Sequence, residues 1–408
     1  MLGNRRLSAS SQKVHMIVSQ NMGRLVRTIV MVYQTDPFRD SGGGGIRYLQ
    51  NLVDGLERYG DPILFLGAGK EMETRGQVTF VPICAPKRPF PVFMFKLFLY
   101  CLNNRFPNNS VVHVHRLYFA LPFLWFARTT KVVCSLHGWT FWVFRKRFGA
   151  LAHGILHPFV RAFEGYVLRR LAFFVPVSED TLKFMETHHR HTLFEMKERV
   201  EIIPSMIDFA QFSPEQSDFL QHRYGADRRY VIFIGRLAAE KNVGLLLKAW
   251  KLIQLDELSK IDIALVLVGP GELEQEIREE VVRLGLSESV IFHGLEDKSN
   301  IPKVINASLG VALSSVFESS PTVVKESLAC GVPVITTNVG DVESLIIKDV
   351  NGRIVESEPE ALAAGIRWLM EARVDKMAVL EASRERLQRH SVASVCESYH
   401  DIYLLLTP

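Results

Sequence analysis

The 408 residues exceed what one hydrophobic core usually serves, and with 48% apolar and 23% charged side chains they read as an ordinary globular protein of two domains. The five cysteines (Cys84, Cys101, Cys134, Cys330, Cys396) are odd in number and form no C-x-x-C, which excludes a disulfide framework or zinc knuckle and suits a reducing cytoplasm; no charge-free apolar run reaches about 18 residues, which excludes a spanning helix. The net charge of +4 hides a division, since residues 1–207 sum to +13 and residues 208–408 to −9.

Residues 1–27 carry five basic side chains and no acid, and their apolar stretch at 14–18 is too short for a signal segment, so they are expected to be a tail or a start-site artefact. From residue 28 the pattern alternates strand and helix, which argues a parallel α/β sheet. Strands are expected at 28–33, 63–67, 78–83, 111–115, 131–136, 173–177 and 200–203, with helices at 46–59, 118–128, 155–172 and 179–188. Residues 74–163 contain no Asp or Glu but 12 Lys and Arg and 19 aromatics, a composition suited to an anionic membrane surface or an anionic lipid-linked ligand. No DNA- or RNA-binding signature accompanies it, so nucleic acid is not an expected partner.

The pattern breaks near Pro204–Pro214, where the charge changes sign, and a second alternation follows. It predicts strands at 230–235, 263–268, 290–292, 309–313 and 332–336. Helices are expected at 242–255, 272–284, 360–372 and 376–406. The expected division is therefore an N-terminal domain over 28–207, a C-terminal domain over 208–390, and a last helix at 391–408 that crosses back to the first domain. Both domains should be doubly wound, with ligands at the C-terminal ends of their strands.

Several loops at such strand ends carry chemistry. Gly42, Gly43, Gly44 and Gly45 follow the first strand and precede a helix, where a backbone can approach a phosphate, although a plain turn explains them equally well. Arg236 and Lys241 lie in the loop after the strand at 230–235 and can neutralise a diphosphate leaving group. Glu318 sits in a Ser/Pro-rich loop and Glu326 eight positions on, inside a helix that Pro321 is suited to start as its first residue. Two carboxylates beside the free amides of a first helical turn suit a ligand with several hydroxyls and a phosphate. His137 ends a strand. His113 with His115, His153 with His157, and the 188–191 cluster have no carboxylate at a metal-binding spacing, so neither a metal nor another cofactor is expected.

Together these motifs resemble the retaining GT-B glycosyltransferases of family four, the group 1 set. Glu318-x7-Glu326 followed by Ala329-Cys330-Gly331-Val332-Pro333 is similar to that family's E-x7-E signature, and Gly235-Arg236 through Glu240-Lys241 to its G-R-L-x-x-E-K segment. Val266–Gly271, Phe292–Gly294, Asn351-Gly352, Gly43–Gly45, Ser135–Gly138 and Val177–Glu179 fall in the family's order. Ser319 in place of a glycine, Pro204–Asp208 at the hinge, and Gly340–Glu343 depart from the usual forms. The resemblance implies two facing Rossmann-like domains. Glu318 would hold hydroxyls of the donor sugar and Glu326 the nucleotide ribose. Arg236 and Lys241 would bind the diphosphate, helped by the amides of Ser320, Pro321, Thr322 and Val323 (Pro321 itself lacks an N–H) and by Gly43, Gly44 and Gly45. Backbone at Gly294 and Leu295 would meet the base, and His137 would lie near the transferred sugar.

The expected activity is retaining transfer of a hexose or N-acetylhexosamine from a nucleotide-diphosphate sugar, the co-substrate, to a lipid-linked or polysaccharide acceptor. The expected setting is the cytoplasmic face of a membrane, with the protein peripheral there. A nucleotide-sugar 2-epimerase of the same architecture and a non-catalytic, membrane-docked interaction protein are the alternatives.

Overall fold

The computed structural model describes residues 27–40, 44–138, 157–255, 262–371 and 374–407. The chain divides into two compact units, Met1–Pro204 with Val392–Pro408, and Ser205–Ser391. Each is an α/β unit on a mainly parallel sheet.

In the first unit, strands β1 (Thr28–Val32), β2 (Ile63–Ala68), β3 (Glu73–Arg75), β4 (Val78–Cys84), β5 (Ser110–Val114), β6 (Lys131–Leu136) and β7 (Phe173–Pro176) form a single sheet. Their order is β3-β4-β2-β1-β5-β6-β7, and only β3 runs antiparallel to its neighbour. β1 and β5 are buried along their whole length, as strands covered by helices on both faces must be. Residues 200–203 do not form the expected strand. Val200 bridges Phe174, and the amides of Glu201 and Ile203 reach carbonyls of β7, before Pro204, which has no N–H to donate, ends the pairing.

The helix Val392–Leu406 belongs to this first unit. The expected helix over 376–406 is instead two, Lys376–Gln388 and Val392–Leu406, broken at 389–391 where the backbone pairs with Ile207. The later helix buries Val395, Cys396, Tyr399, Ile402 and Tyr403, one stripe at helical spacing, and packs on the helix Gly44–Leu56.

The second unit contains β8 (Arg229–Ile234), β9 (Ile263–Val268), β10 (Val290–Gly294), β11 (Gly310–Leu313), β12 (Val334–Thr337) and β13 (Gly352–Val355), all parallel, in the order β10-β9-β8-β11-β12-β13. The helix Val243–Gln254 covers the sheet through Val243, Leu246, Leu247, Trp250 and Ile253. The strand order reverses between β8 and β11. A crevice opens at the carboxyl ends of strands at such a reversal, and it is the usual ligand site of an open α/β sheet.

Candidate functional site

The loops leaving β8 and β11 are knitted together. The Gly235 amide donates to Val268 O (3.0 Å), Leu237 N to Pro270 O (2.9 Å) and Leu273 N to Leu237 O (3.1 Å). A Cβ on Gly271 would lie 2.1 Å from Leu237 O, so only glycine permits this approach. Arg236 therefore projects from a rigid turn. Its side chain is 60% exposed and pairs with Glu240. A short 3-10 turn, Ala239–Lys241, ends at Asn242 in the left-handed region (φ 47°), a conformation that asparagine tolerates. From the other side, Ser314 Oγ donates to the carbonyls of Lys241 and Asn242 (3.0 Å each), and Val316 N donates to Glu240 O (2.9 Å).

This lattice brings Lys241 onto Glu318, whose Oε1 accepts from Lys241 Nζ and from Ser315 Oγ (3.0 Å). Ser315 is held in turn by Thr337 Oγ1, which donates to its carbonyl (2.6 Å). The predicted cation and carboxylate thus meet directly, although 77 residues separate them. Glu326 is buried on the helix Thr322–Ala329. Pro321 precedes that helix in an extended conformation and is its N-cap rather than its first residue. No side chain caps the helix start, so its first-turn amides lack a side-chain acceptor. β10 ends at Gly294, whose carbonyl accepts from Gly269 N (2.8 Å); Leu295 beyond it is exposed.

Lys325 and Asp341 were not anticipated. Lys325 is fully buried, donates to Asp341 Oδ1 (3.0 Å) and to Ser320 Oγ (2.8 Å), and burial lowers its pKa against the opposing pull of Asp341. The Ser320 hydroxyl is engaged by these two residues and by Ser205, which leaves the expected role of its backbone amide untouched. A signal existed in the sequence: a lysine between Val323, Val324, Leu328 and Ala329 on a buried helix demands a partner.

In the first unit, the helix Gly44–Leu56 begins at exposed Gly44 and Gly45 with no acid in its first turn. Gly42, Gly43 and His153 lie outside the described residues, as do the aromatics at 139–148. His137 Nε2 is 3.3 Å from His115 Nδ1, and its ring lies 4.2 Å from that of Tyr48. Burial, then Arg116, lowers the His137 pKa to about 3, which keeps the imidazole neutral. His113 joins a separate buried chain of hydrogen bonds through Tyr403 OH (2.6 Å) and Ser135 Oγ (2.6 Å), continuing to Tyr399 OH (2.7 Å) and Tyr48 OH (3.0 Å). Among the described residues, no group of three or more His, Cys, Asp or Glu is arranged to hold a metal ion.

Residues 42–211 match the family model described as Glycosyltransferase Family 4, and residues 215–387 the model described as Glycosyl transferases group 1. The 2-deoxystreptamine glucosyltransferase of Streptomyces kanamyceticus is 25% identical over 244 residues, 57% of this chain and 60% of that protein. The UDP-Gal:alpha-D-GlcNAc-diphosphoundecaprenol alpha-1,3-galactosyltransferase of Escherichia coli is 26% identical over 163 residues, 39% and 41% of the two chains. The chain spans 45% to 60% of the length of the first curated relatives it matches. The crystal structure of Anabaena HepE in complex with UDP-glucose is similar in fold, with a TM-score of 0.69 at 19% identity over 93% of this chain and 99% of that one.

Proposed function

We propose, for a chain that belongs to the GT-B glycosyltransferases, the retaining transfer of a hexose or N-acetylhexosamine from a nucleotide-diphosphate sugar to a lipid-linked or polysaccharide acceptor at the cytoplasmic membrane face. The observation that carries this reading is the group of side chains that the loops after β8 and β11 bring together. Two cations, Arg236 and Lys241, stand there with the carboxylate of Glu318 and the uncapped helix start at Thr322.

In this reading the bond from the anomeric carbon to the diphosphate breaks while the acceptor oxygen bonds to the same face. The acceptor's proton passes to the departing phosphate oxygen, so no protein base is required. Lys241 and Arg236 leave their carboxylate partners for the developing diphosphate charge, and the first-turn amides assist them. Glu318 and Glu326 accept sugar and ribose hydroxyls, and Gly294 and Leu295 border the base. Gly43, Gly44 and Gly45 assist at the diphosphate, and neutral His137 acts near the transferred sugar. Similarity to a galactosyltransferase whose named acceptor is lipid-linked supports the acceptor class.

A thermal-shift series with UDP, GDP and ADP tests the donor site. The matching nucleotide at about 100 times its Kd should raise a melting transition by roughly 5–10 °C. No shift with any of the three removes the reading.

The membrane partner rests on a second surface. Val92, Phe95 and Leu102 stand exposed on the helix Phe90–Asn103, and Trp125 and Phe126 on the helix Leu117–Phe126. Phe98 joins the two groups, its ring 5.7 Å from that of Trp125 and 6.2 Å from that of Phe126. Exposed Lys96, Arg105 and Arg128 accompany them in a stretch without acids. Among the described residues no helix is long and apolar enough to cross a membrane, so contact would be with the surface. Vesicles containing anionic lipid should float the protein at low salt and release it at high salt. Phe95→Glu with Leu102→Glu should abolish flotation and leave the nucleotide shift intact. Equal flotation with zwitterionic vesicles would contradict an electrostatic contribution.

A further inference from the structure

We infer that the buried Lys325–Asp341 pair is a positioning device that fixes the Glu318–Pro321 loop through the hydroxyl of Ser320 and ties that loop to Ser205, where the chain enters the second unit. The inference rests on the donor-site reading for its functional consequence, although its geometry stands apart from it. Ser320 Oγ donates to Asp341 Oδ2 (2.8 Å) and lies within bonding distance of Lys325 Nζ (2.8 Å) and Ser205 Oγ (2.7 Å). With Lys325 and Ser205 as donors, those three bonds use the full capacity of a hydroxyl, one donor and two acceptor sites. The loop residue next to Pro321 is thus held from three directions.

The turn carrying Asp341 lies directly against the same loop. Gly340 adopts φ 63°, and a Cβ there would lie 3.0 Å from both Ser319 O and Pro321 Cδ and 3.1 Å from Glu318 O. Ser205 is fixed on its other side. Arg389 Nε donates to His390 Nε2 (3.3 Å), so the His390 proton resides on Nδ1 and is donated to Ser205 O (3.1 Å). Ile207 N then donates to His390 O (2.7 Å). Burial, then the Lys325 charge, lowers the His390 pKa to about 3, in keeping with this neutral tautomer.

Stability alone gives little reason for such a pair, because well-packed apolar residues often serve as well as a buried ion pair. What an apolar pair lacks is directional bonds to Ser320. The loop so held carries Glu318, the partner of Lys241, and leads into the uncapped helix start.

Two full-length variants test this. Lys325→Met with Asp341→Leu removes both charges together and leaves no unpaired ion; Ser320→Ala keeps the pair and removes the hydroxyl through which the pair and Ser205 Oγ hold the loop. In both, hydrogen exchange should accelerate about tenfold or more at the amides of 317–323, with protection unchanged in β8, β9 and β12. The Kd for the nucleotide-diphosphate sugar that the wild type binds should rise about tenfold or more. Unchanged exchange at 317–323 in both variants overturns the inference, and so does a loosened loop with unchanged affinity. A wild type that binds no UDP, GDP or ADP sugar ends the donor-site reading instead, and the exchange result alone then decides whether the pair fixes the loop.

Discussion

Lys241→Met should lower kcat by about two to three orders of magnitude, a loss of roughly 3 kcal/mol in transition-state stabilisation. The size follows from where Lys241 stands. Its ammonium is mostly shielded, aimed by a rigid turn, and paired with Glu318. Such a charge gains most when negative charge grows on a departing diphosphate. Arg236 carries the same formal charge but is 60% exposed and bound to Glu240, so Arg236→Ala should cost less. Glu326→Ala should differ in kind. In its proposed role at the ribose, this carboxylate would contribute equally to ground and transition states, and its loss should raise KM more than it lowers kcat. Steady-state kinetics with the donor identified by the thermal-shift series separates these effects. A kcat within twofold of wild type for Lys241→Met would remove its catalytic role.

The largest effect on stability is expected at Tyr399→Ala. Tyr399 is fully buried on the helix Val392–Leu406 and bonded to both Ser135 and Tyr48. Truncating a large buried aromatic costs about 3–5 kcal/mol. Two hydroxyls lose a partner in addition: Ser135 keeps its bond to His113, while the loss at Tyr48 adds about 1–3 kcal/mol. One calorimetric transition should therefore fall by about 10 °C or more, while the transition of the other unit stays in place. Tyr399→Phe keeps the ring and should lose a fraction of that. Equal losses in the two variants would mean that packing contributes nothing.

Acid should weaken the same unit. Burial lowers the His113 pKa to about 3, so as pH falls below the ordinary value of 6.5 the unfolded chain takes a proton that the folded chain refuses. Stability declines by about 1.4 kcal/mol per pH unit from that group until the folded pKa is reached.

The α/β alternation was readable because parallel strands covered on both faces are continuous apolar runs, as at β1, β5 and β9. β3 escaped notice because Glu73-Thr74-Arg75 is a polar edge, and β13 because its four residues begin with Gly352 and Arg353. The helix Phe90–Asn103 is apolar around most of its circumference and shows little helical period. The break at 389–391 contains neither glycine nor proline, and its cause is a long-range pairing with Ile207. Arg236, Lys241, Glu318 and Glu326 were nameable because their loops follow strands in a recurring order. The links of Lys325 to Asp341 and of His113 to Tyr403 join segments 16 and 290 residues apart, and no local pattern of one chain encodes such meetings.

The first unit is completed by a helix that the ribosome makes only after the second unit. Its sheet and the helix Gly44–Leu56 are synthesised with an empty seat beside Tyr48, His113 and Ser135, and the occupant arrives only after the whole of Ser205–Ser391 has been translated. Domains usually settle in the order in which they emerge. Here the unit that begins first can finish only second, and until then its unfilled seat offers apolar surface to chaperones, proteases and neighbouring nascent chains.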